Sequence, residues 1–324
     1  MSEKEYVKVK KVLISSRSFG STSKEPTQIL EQAGFECVFL NPTADKETVM
    51  EQIKDANALI AGTAKIDRDI ILAAEQLEII ARYGAGVDNL DLEAAREQNV
   101  RVTNAAGQNA DAVADLAWGL IFDTRRGISR AKKSVQSGQY KPVIGRDINE
   151  ATLGLIGFGA IAQCVARRAV GFSMQVLAYD PYMQAVPEEF ASYVRLCSLE
   201  EVIASSDIVS IHVPLTEQTE NMFDKTSIMQ MKKDAVLINL GRGGIIHETD
   251  LYECMKDGHL FGAGLDVTKH EPVETDNPLL TLENVTITPH MGMSSAQVIH
   301  KMSMICAQNV VNQFTGQELQ HVVV

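Results

Sequence analysis

The chain has 324 residues, 45% of them hydrophobic and 22% charged, with a formal net charge of −12. Its length gives room for two domains, each with its own core, and the composition is that of an ordinary globular protein. So acidic a balance argues against nucleic acid or an anionic membrane as the main partner, because backbone phosphates are held chiefly by clustered Lys and Arg.

The start, MSEKEYVKVKKVLISS, is charged and has no apolar stretch of signal-peptide length, and no run along the chain approaches 18 apolar residues. A cytoplasmic protein is therefore expected. From Lys11 short β-branched runs alternate with helix-like stretches: VLIS at 12–15, ECVFL at 36–40, ALIAG at 58–62, EIIAR at 78–82 and VRVTN at 100–104. Such alternation predicts a parallel sheet covered by helices. After the fourth run comes Arg82-Tyr83-Gly84-Ala85-Gly86-Val87-Asp88, whose small residues expose backbone N–H groups beside a cation. That loop reads as a carboxylate cradle, or, more plainly, as a tight turn before a helix starting near Asp91. The stretch between Asn109 and Ser137 is helical in pattern, holds the single Trp118 and lacks a strand, so it reads as a crossover between domains. The basic run Arg125, Arg126, Arg130, Lys132 and Lys133 reads as a solvated helix face or a subunit contact.

From Thr152 the alternation resumes with LGLIG, MQVLAYD, DIVSIHV, AVLINL, LFGAGLDV and NVTIT, a second doubly wound sheet. Its first turn, Gly157-Phe158-Gly159-Ala160-Ile161-Ala162, fits G-x-G-x-x-G/A. Gly157 allows the tight turn, Gly159 lets the backbone approach a pyrophosphate, and Ala162 lets the helix pack close to the sheet. Asp180 ends the next strand 23 residues after Gly157, near the spacing of about 20 for a ribose-binding acid. A carboxylate there repels a 2′-phosphate, so the expected cofactor is NAD rather than NADP; the alternative is an N-cap Asp before a Pro turn.

Three later segments, VLINLGRGG, GAGLDVTKHEP and VTITPHMG, each end an apolar run with a functional side chain: Arg242, Glu271 and His290. A cation, a carboxylate and an imidazole at strand ends are the parts for binding an acid and moving a proton. A last helical segment runs from Ser294 to Thr315, with apolar spacing that could return it to the first domain. The closing HVVV is apolar but too short to anchor in a membrane. Five cysteines, at 37, 164, 197, 254 and 306, show no zinc-ligand spacing, so no metal site is expected, and their odd number suits a reducing compartment.

The motifs GAGVDNLD, GLIGFGAIA, HVPLTEQT, INLGRGGIIHETDL, GLDVTKHEP and TPHMG, in this order and spacing, closely resemble the D-isomer-specific 2-hydroxyacid dehydrogenases, the family of phosphoglycerate, glycerate and D-lactate dehydrogenases and hydroxypyruvate reductases. The resemblance spans nearly the whole chain. It implies two α/β domains with doubly wound parallel sheets: a Rossmann NAD-binding domain, 104–293, inserted into a discontinuous flavodoxin-like substrate domain, 1–103 and 294–324. It implies that Arg242 clamps the substrate, that His290 is the general acid/base and that Glu271 is its partner. Further implied cofactor contacts are Ala160, Ile161, Asp180, Val213, Leu240, Gly241, Asp266 and Gly292. The Arg82, Gly84, Ala85 and Gly86 loop would face a small 2-hydroxy or 2-keto acid.

Where phosphoglycerate-oxidising relatives have an Arg-Ser pair after the third strand, this chain has Ala61-Gly62, then Thr63-Ala64-Lys65. A phosphate-binding cation is missing there, with Lys65 as a partial substitute, which leaves phosphoglycerate dehydrogenase as the second expectation. Glu271 rather than Gln argues against the formate dehydrogenase branch. An NAD(H)-sensing interaction protein of the corepressor type is an alternative of another class, disfavoured by the complete Arg242, Glu271, His290 set. The apolar helix around Trp118, together with the resemblance, predicts a homodimer.

Overall fold

The computed structural model describes residues 9–41 and 44–324, so the charged start at 1–8, part of the reading of an absent signal peptide, lies outside the described residues. The chain forms two compact units, one from the segments up to Asn109 and from Met293 to Val324, the other Ala110–Gly292.

In the first unit five strands, β1 (Lys10–Ile14), β2 (Phe35–Phe39), β3 (Ala58–Ala61), β4 (Ile79–Arg82) and β5 (Arg101–Thr103), pair in parallel in the order β2-β1-β3-β4-β5. That is the flavodoxin-like order. Strands β3 and β4 are buried at every position, Arg82 at the end of β4 included, as strands covered on both faces should be. Helices α1 (Glu25–Gln32), α2 (Lys46–Ile53), α3 (Arg68–Ala73) and α4 (Leu92–Glu97) connect the strands. Asp45, Asp67 and Asp91 each accept a backbone N–H three residues on, capping α2, α3 and α4.

The C-terminal helix is Ala296–Thr315, capped by the Ser295 hydroxyl and ended by Gly316 at φ 70°. Its Met302, Cys306, Ala307 and Val310 pack in one cluster with Val12, Ile14, Phe35 and Ile60 of the same unit. The apolar tail then lies along β5: the Val323 N–H donates to the Val102 carbonyl at 2.7 Å, and the Val102 N–H to the Val324 carbonyl at 3.1 Å. The unit continues past residue 103 because Asn104 N–H bonds the His321 carbonyl and Ala105 N–H the Gly84 carbonyl, holding 104–109 to the first sheet.

The second unit begins with α5 (Ala110–Arg126) and α6 (Ile128–Gln136). Its sheet comprises β6 (Thr152–Ile156), β7 (Gln175–Tyr179), β8 (Val194–Leu196), β9 (Ile208–Ile211), β10 (Val236–Asn239), β11 (Gly262–Leu265) and β12 (Val285–Ile287), with helices α7 (Ala160–Ala169), α8 (Leu199–Ser205), α9 (Lys225–Gln230) and α10 (Glu248–Lys256) between strands. The order is β12-β11-β10-β9-β6-β7-β8, the Rossmann order extended by one strand.

The structure corrects the reading of α5 as a crossover. Val113, Ala114, Ala117, Trp118, Leu120 and Ile121 belong to the core of the second unit. The Trp118 indole N–H donates to the Val165 carbonyl at 3.2 Å, and its ring lies 4.9 Å from Phe172. With that apolar face covered inside its own unit, Trp118 is no sign of a subunit contact. Just beyond lie some of the exposed apolar side chains, Ile128 and Val135 on α6 and Tyr140 and Ile144 in the irregular stretch after it. Among the described residues no helix is long and apolar enough to cross a membrane.

Candidate active site

Strands β10, β11 and β12 are parallel neighbours, so their carboxyl ends lie along one edge of the sheet, where open α/β folds bind ligands. Arg242, Glu271 and His290 follow those three ends. His290 Nδ1 stands 2.7 Å from Glu271 Oε2, with the two side chains 31% and 36% exposed. The pair is therefore formed yet open to a reactant. His290 adopts φ 49°, a left-handed conformation that costs a non-glycine residue on the order of 1 kcal/mol and survives only when neighbours impose it.

Asp266 imposes it. The His290 N–H donates to the Asp266 carbonyl at 2.9 Å. The Asp266 carboxylate accepts the Thr288 hydroxyl at 2.6 Å and the Met291 N–H at 2.8 Å on Oδ1, and the Gly292 N–H at 2.8 Å on Oδ2. The side chain is buried, which raises its pKa above the usual carboxylate range despite these donors. Asp266 and Gly292, expected as cofactor contacts, are thus part of the turn that carries His290. A Cβ on Gly292 would stand 3.1 Å from Asp266 Oδ2.

The Arg242 turn is braced by buried Asn239, whose Oδ1 accepts the Gly241 N–H at 2.9 Å and whose amide donates to the Arg242 carbonyl at 3.0 Å. The Arg242 guanidinium donates to the Gly241 carbonyl at 2.8 Å. Gly243 lies against the backbone of the Glu271 segment: a Cβ there would meet the Thr268 carbonyl carbon at 2.0 Å. The Glu271 segment in turn bonds itself, Thr268 N–H to Glu271 Oε1 at 3.3 Å and the Thr268 hydroxyl to the His270 carbonyl at 2.8 Å.

The Gly-rich turn joins β6 to α7. Gly157 has φ 87°, and a Cβ there would meet Val213 Cγ1 at 2.9 Å and the His212 carbonyl at 3.0 Å, so only glycine fits. A Cβ on Gly159 would meet nothing within 4 Å, and Gly159 and Ala160 are exposed at the start of α7. A phosphate can approach that backbone and helix end. Ala162 is fully buried, as close helix–sheet packing requires, Ile161 is half-buried, and Val213 and Leu240 are buried nearby in the core. Asp180 accepts the Phe158 N–H of the turn at 2.9 Å on Oδ2 and the Tyr182 N–H at 3.0 Å on Oδ1. It therefore makes the local turn and braces the Gly-rich loop, while each oxygen keeps a lone pair for a ribose hydroxyl.

His212 escaped the sequence reading, although it stands beside Val213 in the HVPL motif. It follows β9, which pairs with β6 where the chain reverses its direction across the sheet. Its Nε2 lies 2.9 Å from the Ser210 hydroxyl, while Nδ1 is buried with no protein partner. Burial pushes the imidazole down to about 4, so it is neutral at physiological pH. A buried ring nitrogen lacking a partner at the switch point, beside a turn with room for phosphates, fits a dinucleotide.

In the first unit Arg82 does not project from its loop. It is buried, donates Nε to Asn89 Oδ1 at 3.2 Å and Nη1 to the Tyr83 carbonyl, and lies where a Cβ on Gly84 would be, 2.6 Å from Nη1. The Gly84 N–H is taken by the Arg82 carbonyl at 3.0 Å. Gly84 needs to be glycine, with φ 147°, and the half-buried Ala85 and Gly86 are the parts of the loop open to a ligand.

A family model described as D-isomer specific 2-hydroxyacid dehydrogenase, NAD binding domain, matches residues 118–292. The chain belongs to the D-isomer-specific 2-hydroxyacid dehydrogenases. Its second unit is the NAD-binding domain of that family of oxidoreductases. The chain is 38% identical over 304 residues to the D-3-phosphoglycerate dehydrogenase of Methanocaldococcus jannaschii, covering 93% of this chain but only 57% of that relative. With the hydroxypyruvate reductase of Thermotoga maritima it shares 39% identity over 295 residues, 90% of this chain and 95% of the relative. Among solved structures, the TT0316 protein of Thermus thermophilus matches with a TM-score of 0.90 at 33% identity, over 97% of this chain and all of that one.

Proposed function

We propose that the protein interconverts a small, unphosphorylated D-2-hydroxy acid and its 2-keto acid. The observation that carries this reading is the 2.7 Å contact between His290 Nδ1 and Glu271 Oε2. With Nδ1–H donated to the carboxylate, Nε2 is the ring atom that gives a proton to the carbonyl oxygen or takes one from the hydroxyl. Glu271 fixes the ring's orientation and balances the imidazolium as it forms. Arg242 stays charged throughout and can hold a carboxylate in bidentate fashion while its field stabilises the developing alkoxide. The Ala85 and Gly86 N–H groups are assigned to the substrate carboxylate. NAD, when bound, supplies the hydride carrier; Gly157, Gly159, Ala160 and Ile161 would hold its pyrophosphate, Asp180 its ribose, and Val213, Leu240, Gly241 and Gly292 would line its path.

The preference for an unphosphorylated acid rests on the first unit. Where a phosphate-binding Arg-Ser pair would stand, Ala61 is buried, and a Cβ on Gly62 would meet the Ser15 carbonyl at 2.8 Å. No cationic side chain can be accommodated at Gly62 without moving backbone. The relative named for phosphoglycerate keeps the alternative in the experiment. NADH oxidation is followed against glyoxylate, hydroxypyruvate, pyruvate, branched 2-keto acids and phosphohydroxypyruvate. Turnover of an unphosphorylated acid, lost in His290→Ala with NADH binding retained, is the expected result. Turnover confined to phosphohydroxypyruvate would establish the phosphoglycerate reading, and silence throughout would favour an NAD(H)-sensing role.

We further assign a homodimer, formed through the exposed Ile128, Val135, Tyr140 and Ile144; light scattering showing a monomer at micromolar concentration would refute it. A cytoplasmic location is proposed on the odd number and scattered spacing of the five cysteines.

A further inference from the structure

Glu271 is exposed and lies on an irregular excursion between β11 and Pro278, where its carboxylate accepts the Thr268 N–H at a long 3.3 Å and meets His290 Nδ1. Its orientation depends on what fixes that excursion. Both ends are held by one side chain, Glu248, the first residue of α10. Glu248 Oε1 accepts the Lys269 N–H at 2.5 Å, and Oε2 accepts the Asn277 side-chain amide at 2.8 Å. Lys269 precedes Glu271 by two residues and Asn277 follows it by six. Asn277 is itself anchored: its Oδ1 accepts the Leu279 N–H at 3.0 Å, and Leu279 is fully buried.

The chemistry at Glu248 calls for a carboxylate. Both partners are N–H donors, and a carboxylate is an acceptor on both oxygens, whereas an amide would set one N–H against another. Glu248 also stands at the end of the segment that opens with Arg242, whose Gly243 is packed on Thr268. One half-buried carboxylate therefore ties the connection bearing the cation to the connection bearing Glu271.

We infer that Glu248 is a positioning residue for the acid/base pair: it holds the 269–277 segment so that Glu271 meets His290 Nδ1. The inference rests on the reading of His290 and Glu271 given above. The test is a mutant cycle in the full-length protein, using NADH and whichever acid of the panel turns over fastest. Glu271→Ala, Glu248→Ala, Glu248→Gln, Asn277→Ala and the double variant Glu248→Ala/Glu271→Ala are compared in kcat, KM and NADH Kd. Loss of the clamp is expected to lower kcat about tenfold in Glu248→Ala, with smaller losses in Glu248→Gln and Asn277→Ala and NADH Kd unchanged. In the Glu271→Ala background, Glu248→Ala should cause no further loss, since the group it positions is gone. An equal tenfold loss in both backgrounds would overturn the inference, because a side chain that merely supports the fold acts whether or not Glu271 is present. Parent-like kcat in Glu248→Gln and Asn277→Ala would also overturn it, and these two variants decide the matter if Glu248→Ala fails to fold. Unchanged kcat in Glu271→Ala alone would instead remove the acid/base reading beneath it.

Discussion

Replacing Gly243 by Ala probes how tightly the Arg242 turn and the Glu271 segment are fitted together. An added Cβ would stand 2.0 Å from the Thr268 carbonyl carbon, 2.1 Å from its oxygen and 2.4 Å from the Lys269 nitrogen, whereas ordinary contact begins at 3.4 Å. All three atoms are backbone, so no flexible side chain can swing aside, and one of the two connections must shift by roughly 1 Å or more. A misplacement of about 1 Å in a catalytic constellation can cost on the order of 100-fold in rate, and overpacking of this kind costs about 1–3 kcal/mol in stability. The expected result is a fall in kcat/KM of roughly 100-fold and a drop in Tm of about 5 °C for a unit of this size. Leu240 and Gly241, proposed to line the cofactor's path, open the same connection, so NADH Kd should rise as well, but by less than kcat/KM falls, since the Gly-rich turn sits on other strands. Steady-state kinetics, a thermal melt and an NADH fluorescence titration measure the three quantities. A variant that keeps kcat/KM within about threefold of the parent would show that the two connections move independently, and the reasoning would fail.

His212 predicts a pH dependence of stability. Its folded-state pKa is depressed to about 4 by burial, against about 6.5 in an unfolded chain. Its contribution is therefore fully present above about pH 6.5 and is lost as pH falls toward 4, about 3 kcal/mol in all. Denaturation midpoints followed from pH 7 down to 4.5 should fall more steeply in the parent than in His212→Asn; parallel curves would contradict this. Asp266→Asn leaves one acceptor oxygen where three donors converge, so amide exchange at Met291 and Gly292 should quicken and kcat drop by about tenfold or more; exchange at the parental rate would count against the role given to Asp266. In Asp180→Ser the repulsion of a 2′-phosphate is gone, and the NADH-to-NADPH ratio of kcat/KM should fall by at least about tenfold, with an unaltered ratio refuting the ribose assignment.

Much of this was legible in the residues. Apolar runs such as ALIA at 58–61 and VLI at 236–238 mark central parallel strands, and the Gly157–Ala162 turn announces its own chemistry because glycine spacing and backbone conformation are local matters. What could not be read depends on the length of an element, on where a side chain turns, or on contacts far apart in the chain. Val194–Leu196 forms an edge strand, but three residues with Arg195 in the middle give too short an alternation to recognise. The periodicity of α5 shows an apolar face without saying which sheet covers it, hence its misreading as a crossover. Arg82 advertises a cation at a strand end, yet its side chain turns under its own loop to Tyr83 and Asn89. Glu248 gave no signal, since its partners are a backbone N–H and an amide 21 and 29 residues away.

The way the tail lies along β5 bears on how the protein is made. Residues 110–292 are contiguous and can fold as soon as they leave the ribosome, whereas the first unit needs Met302, Cys306 and Val310 for its core and Val322–Val324 for its sheet edge. At about 5–20 residues per second, roughly 10 to 40 seconds pass between the emergence of residue 109 and that of the tail. Throughout that interval one face of the first unit's apolar strands is covered only in part, by Phe19 and Leu30. The segment ahead of residue 110 is thus made before the second unit yet reaches its native form after it, and it is the part that most needs protection from its neighbours in a crowded cell.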